Sequence, residues 1–255
     1  LARASAAHVN SGAITMSGTA DLTVTQTGTT PSFTNTGTIT LAPARVLAVS
    51  NGLLDLSAGL VAGYTSYLTT TGTPTVRFTT ATVQPRIGLV AGAVLPDPVV
   101  IPVGDSLRIY TGTFAPPSLT NNGSLVLEGN AVLTTTLTTG AGSLLRVRSN
   151  NTTNAANATI TNGFTNTAAL DLLAQDAGYG VQLTVATGTL TNASTGTITS
   201  LVGSGGSRTL AAQLDNQGTV LVPFNLTLAR ASAAPLNSGT ITKSELVKIG
   251  EDEAA

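Results

Sequence analysis

FTNTGTITL, residues 33–41, sets the reading of this chain. Ile39 and Leu41 fall on one side of an extended segment and Thr38 and Thr40 on the other, the alternation of a half-buried strand. Asn35 and Gly37 stand just before it, where both residue types suit a bend because they tolerate positive φ. The same phrase returns as VNSGAIT (9–15), LTNNGSLVL (119–127), FTNTAALDL (164–172), LTNASTGTIT (190–199), LDNQGTVLV (214–222) and LNSGTIT (236–242). The bend residues are thus Asn10, Gly12, Asn35, Gly37, Asn121, Gly123, Asn166, Asn192, Gly196, Asn216, Gly218, Asn237 and Gly239.

Successive asparagines are 25, 86, 45, 26, 24 and 21 residues apart. Four of these intervals fit one coil of three short strands and three bends, since a strand averages about 5–6 residues. Asparagines at equivalent corners could also stack, each amide bonding to the next coil. A second strand lies between bends, as SLRIY (106–110), LLRVR (144–148), VQLTV (181–185) and NLTLA (225–229); its Arg108, Arg146 and Arg148 alternate with apolar residues and should point outward. The expectation is an all-β fold, a parallel, right-handed β-helix or solenoid. The competing arrangement is a row of β-sandwich domains, where Asn-Gly bends serve hairpins. Strand phrases about 23 residues apart favour the solenoid over sandwich spacing of ~8–12.

A longer repeat encloses the short one. LARASAAHVNSGAITMS (1–17) and LARASAAPLNSGTITKS (228–244) agree at 13 of 17 positions, at an offset of 227. One unit of about 227 residues, at about 23 per coil, predicts about ten coils, followed by the start of the next unit. Residues 1–244 therefore read as one solenoid. Residues 245–255, ELVKIGEDEAA, read as a charged cap, linker or tail.

Residues 60–118 lack the phrase. They hold seven of the 11 prolines and three of the four tyrosines. Proline cannot donate to a strand ladder, so irregular coils are expected there, with a protruding loop at LPDPVVIP (95–102). Tyr64, Tyr67, Asp97 and Tyr110 form the expected recognition surface, if the chain has one.

Composition narrows the function. Only 9% of residues are charged and the net charge is −1, which leaves no basic stripe for nucleic acid. Thr, Asn, Ser and Gly interrupt every apolar run before the ~20 residues of a spanning helix. Without cysteine there are no disulfides, thiolate metal sites or cysteine nucleophiles. The single histidine, His8, is replaced by Pro235 in the repeat, which points to a surface position rather than to a base or ligand. Asp55 and Asp171 share a Leu-Asp-Leu frame but lie about five coils apart, too far to flank one glycosidic bond. No enzyme activity, cofactor or metal is expected. Outward threonines in DLTVT (21–25), TTLTT (135–139) and TGTIT (195–199) would suit ice binding if they formed a flat array.

The phrases FTNTGTITL, LTNNGSLVL and LDNQGTVLV resemble those of haemagglutinin-type and autotransporter-passenger β-helix surface repeat proteins. The resemblance implies a secreted or surface-displayed β-helix. The expected role is structural or adhesive: a stalk, fibre or surface layer outside the cell. Its partners would be further copies of itself, by end-to-end or tandem stacking, or a surface glycan. The alternative is a β-helix that binds or degrades polysaccharide.

Overall fold

The computed structural model describes residues 1–90, 92–176, 178–231 and 233–243. The charged segment 245–255 lies outside the described residues. Ladders between strands are parallel throughout, and they stack as a β-solenoid of about 11 turns. Tandem sandwiches are thereby excluded, because their sheets are built from antiparallel pairs.

In the first half each turn has three faces. Ala7–Asn10, Ser32–Asn35, Leu53–Leu56 and Thr75–Phe78 stack on one face, and Ala13–Met16, Thr38–Leu41 and Leu60–Ala62 on the second. Leu22–Thr25, Val46–Ser50, Tyr67–Thr71 and Arg86–Leu89 form the third. Further along, long strands such as Ser106–Phe114 and Val181–Asn192 run through a corner, with the register shifting at bulges. One coil takes from 18 residues (Arg208 on Leu226) to 28 (Ala169 on Thr197), so bends absorb insertions while the ladder keeps its step.

Alternation fixes what is inside. One inward column runs Leu22, Leu47, Leu68, Ile87, Ile109, Leu127, Val147 and Leu172, each paired with the next. From Leu47 to Leu172 every member is fully buried. Each such side chain contributes ~1.5–3 kcal/mol by leaving water. The column therefore gives the rod its stiffness against loss of any middle turn.

The proline-rich stretch departs from expectation. Residues 95–102 are not a protruding loop. Leu95, Val99 and Ile101 are buried, and Val99–Ile101 pairs with Leu119–Asn121. Pro96, Pro98 and Pro102 are exposed, so they occupy positions that face solvent. The irregularity seen among the described residues of 60–118 is of another kind: a 3₁₀ turn, Thr80–Thr82, stands where a second-face strand would be, and the ladder register shifts at Ile87/Gly88 and at Ile109/Thr111. Thr80 Oγ1 donates to Val100 O at 3.1 Å and ties that turn to the next coil. His8 also departs from expectation. It is paired with the buried Phe33, half-buried in the first coil, with Nε2 enclosed and without a partner.

Candidate functional site

One corner of the solenoid accounts for the Asn phrase. In chain order its residues are Asn10, Asn35, Leu56, Phe78, Ile101, Asn121, Thr139, Asn166, Asn192, Asn216 and Asn237. The interval of 86 is thus four coil steps, in which Leu56, Phe78 and Ile101 replace Asn with apolar side chains. The interval of 45 is two steps through Thr139. Where asparagines are consecutive they form a ladder, buried up to Asn216 and exposed at its last member, Asn237. Nδ2 of Asn10 donates to Oδ1 of Asn35 at 2.7 Å; Asn166, Asn192 and Asn216 donate likewise to Asn192, Asn216 and Asn237 at 2.8, 2.7 and 2.7 Å. The amides are polarised one way, donor towards the C-terminal end. Asn121 Oδ1 and Asn166 Oδ1 are buried without a donor. Each stands after a coil whose corner residue, Ile101 or Thr139, gives it none.

The corner glycines have a different cause from the one their sequence suggests. None of Gly12, Gly37, Gly123, Gly196, Gly218 and Gly239 has positive φ, nor do the asparagines beside them. A Cβ on Gly37 would overlap Gly12 O, on Gly218 it would overlap Ala193 O, and on Gly239 it would overlap Gly218 O. These glycines let successive coils approach. The positive-φ Asn-Gly pair is elsewhere, at Asn51 and Gly52 (φ 52° and 55°). Gly12 is the exception: a Cβ there meets nothing within 4 Å, because its outer side is the open edge of the first coil.

The outer surface of the third face holds the other constellation. Register aligns Tyr67, Arg86 and Arg108, and then Val126, Arg146 and Asp171, as one outward column. Glu128 lies beside it in a bulge, where Tyr110 stands opposite Glu128 and Gly129. Glu128 is fully buried. Arg86 Nε donates to its Oε2 at 2.6 Å; Arg148 Nε and Asn150 Nδ2 donate to Oε1 at 2.8 and 3.2 Å, with Arg148 Nη2 on the same oxygen. Desolvation of such a group costs several kcal/mol unless it is paired this fully. Arg146 Nη2 holds Asp171 at 2.7 Å. The arginines do point outward, as their alternation predicts, but each is engaged by a neighbour.

Arg108 is the least favourably placed charge. Burial, then the guanidinium groups of Arg86 and Arg148, push its pKa down to about 10, against the opposing pull of Glu128. Its Nη2 donates to Gln84 O at 2.9 Å, and its guanidinium stacks 5.1 Å from the Tyr64 ring centre. Arg86 lies 5.7 Å from the centre of the Tyr67 ring. Tyr67 and Tyr110 meet edge to face at 5.0 Å, and burial, then Tyr67, raises the Tyr110 pKa.

A loop rises beside these rings. Asn150 Oδ1 accepts from Thr152 N at 2.8 Å and from Thr153 N at 2.9 Å, while Asn151 N donates to Asp176 Oδ2 at 2.6 Å. Together with both tyrosines the loop borders an open cleft of about 360 Å³, lined by Val46, Tyr67, Tyr110, Thr111, Gly129, Asn130 and residues 152–154. Of the four expected recognition residues, Tyr67 and Tyr110 line this cleft together, and Tyr64 lies outside its lining, against Arg108. Asp97 is not with them. It pairs with Arg77 at 2.7 Å beside the first face, and both are well exposed.

Glu128, Asn130, Asn150 and Thr153 were not singled out from the sequence. Their signal is Glu128 itself, a lone carboxylate inside the apolar strand SLVLEGNAVL. Outward threonines pair only in short runs, such as Thr197, Thr219 and Thr240; Ala48 and Gly88 interrupt the column of Thr23 and Thr69. Among the described residues no helix is long and apolar enough to cross a membrane. Comparison with protein-family models, with curated proteins and with solved structures gave no match.

Proposed function

We propose that this chain is a structural unit of an extracellular rod, stalk or fibre, extended by head-to-tail stacking of copies of itself. The observation that carries the reading is that the two edges repeat one sequence and complement one another. At three steps of the corner, two backbone N–H groups of one coil donate to the Asn carbonyl of the coil before: Thr36 and Gly37 to Asn10 O, Gln217 and Gly218 to Asn192 O, and Ser238 and Gly239 to Asn216 O. The next N–H, that of Thr240, reaches Gly218 O. Ser11, Gly12 and Ala13 are the repeat counterparts of Ser238, Gly239 and Thr240, and no coil among the described residues lies against them. At the other edge, Asn237 and Gly239 carry the matching carbonyls. Asn237 Nδ2 would meet Asn10 Oδ1 and extend the amide ladder in its existing direction. Leu236 and Ile241, 63% and 53% exposed, are the apolar surface such a contact would cover.

Gly12 supports the same reading. Its counterpart Gly239 must be glycine because another coil lies against it, whereas nothing in this chain makes that demand of Gly12. Placement outside the cell rests on the charge-poor composition and on the resemblance noted above. The test is Gly12→Val. Valine has room in the isolated chain and no positive φ to resist. In a stack it would collide with the carbonyl of the neighbouring copy. The unsubstituted chain should form rods in negative-stain images that lengthen with concentration, by ~50 Å per unit at about 4.8 Å per turn. Gly12→Val should stay monomeric with an unchanged circular dichroism spectrum and melting point. Rods of equal length from both chains, or monomers from both at high concentration, would overturn the reading.

A further inference from the structure

We infer that the cleft between Tyr67, Tyr110 and residues 152–154 is a saccharide subsite that takes an uncharged pyranose unit. Four observations converge on it. Its lining joins two aromatic rings to the hydroxyls of Thr111, Thr152 and Thr153 and the amides of Asn130 and Asn154. A pyranose offers the matching surfaces: an apolar C–H face for a ring and equatorial hydroxyls for amides and hydroxyls. The volume of about 360 Å³ falls at the small end of the range for ligand sites. None of its lining residues is ionised, and the guanidinium groups of Arg86, Arg146 and Arg148 are all committed to Glu128 or Asp171.

The cleft is also held in shape before any ligand arrives. Glu128 fixes Asn150, and Asn150 in turn fixes the backbone of Thr152 and Thr153. Positive-φ bends and another register shift, at Thr184/Thr189, occur elsewhere along the ladder. Here several departures fall within one patch: the bulge at Tyr110, Gly129 at φ 52°, Asn154 at φ 60°, and a buried carboxylate. Gly88 adds to this, since a Cβ there would press into the Tyr110 ring. What singles this patch out is that a bulge, a non-glycine residue at positive φ and a fully buried carboxylate meet at one point beside the cleft. The cleft lies on a side face rather than at an end, so it stays open when copies stack.

The chain contains four tyrosines and no tryptophan, so its intrinsic fluorescence comes from tyrosine. Titration with neutral oligosaccharides ending in glucose, galactose, mannose or N-acetylhexosamine is expected to change that emission for at least one of them. The response should survive a rise in salt from ~0.1 to ~0.5 M, which screens exposed charges. Asn130→Ala should weaken that binding about tenfold or more, a loss of ~1.4 kcal/mol. Asn130 is exposed and its one side-chain contact, from Asn157, is 3.4 Å long, so the fold should not change. Tyr110→Ala should remove the response, and Gly12→Val should leave it intact whether or not rods form. Binding unaffected by Asn130→Ala, no response to any neutral sugar, or salt-sensitive binding confined to uronate-terminated sugars would each overturn the assignment.

Discussion

Asn192 shows what one residue does in this fold. It accepts from Asn166, and its Nδ2 donates both to Asn216 Oδ1 at 2.7 Å and to Thr219 O at 3.1 Å, all away from water. Replacing it with Ala removes three bonds and leaves Asn166 Nδ2 with weaker partners and Asn216 Oδ1 with none. At ~1 kcal/mol per bond, with a further ~1–3 kcal/mol for a stranded buried group, Asn192→Ala should lose about 4–6 kcal/mol in urea unfolding. Asn237→Ala should lose under half of that in the monomer, because its outward amide is not yet used. Equal losses at both positions would mean that the ladder adds nothing beyond side-chain packing. At this scale the sequence was informative about place but misleading about cause. The Asn-x-Gly spacing marks the corner, yet positive φ has no part in it, because close approach of coils is a property of the stack and not of the local chain.

At the scale of elements, strands could be read from Ile39 and Leu41 alternating with Thr38 and Thr40, and their parallel stacking from phrases about 23 residues apart. The strand Val99–Ile101 could not, because its flanking prolines look like loop residues in isolation. Only the finished coil shows that Pro96, Pro98 and Pro102 flank the paired segment Val99–Ile101 with their rings exposed, where no ladder N–H is required of them. Likewise Glu128 gives no hint in sequence of the two arginines that reach it from strands 42 and 20 residues away. The three strands bearing Arg86, Glu128 and Arg148 are locked by that carboxylate. Glu128→Gln should therefore lose about 3–5 kcal/mol by leaving two guanidinium groups without their counter-charge. Arg108→Met should leave the melting point at pH 7 unchanged or raised. Its depressed pKa means that the unfolded chain binds the extra proton between about 10 and the ordinary arginine value. The penalty is thus fully present below about 10 and is relieved as pH rises. A fall for Arg108→Met as large as that for Glu128→Gln would show that Arg108 is a stabilising member of the cluster.

For the whole molecule, stability adds turn by turn, since each coil touches only its neighbours. Terminal coils are then the weakest, and a coil gains most when its open side is covered. The middle of the rod, from Leu119 to Ala174, already has both sides covered. The N–H groups of Ser11, Gly12 and Ala13 do not. Amide hydrogen exchange separates these cases. In dilute monomer the amides of residues 11–13 should exchange fast and those of Leu125, Leu145 and Leu170 slowly. When copies stack head to tail, residues 11–13 should gain the protection that Ser238, Gly239 and Thr240 owe to Asn216 O and Gly218 O, while the middle changes little. Assembly that protects side-face residues, such as those around Tyr110, and leaves residues 11–13 exchanging at the monomer rate would show lateral association. In that case the shared sequence of the two edges would record only how the unit was duplicated, and not how its copies join.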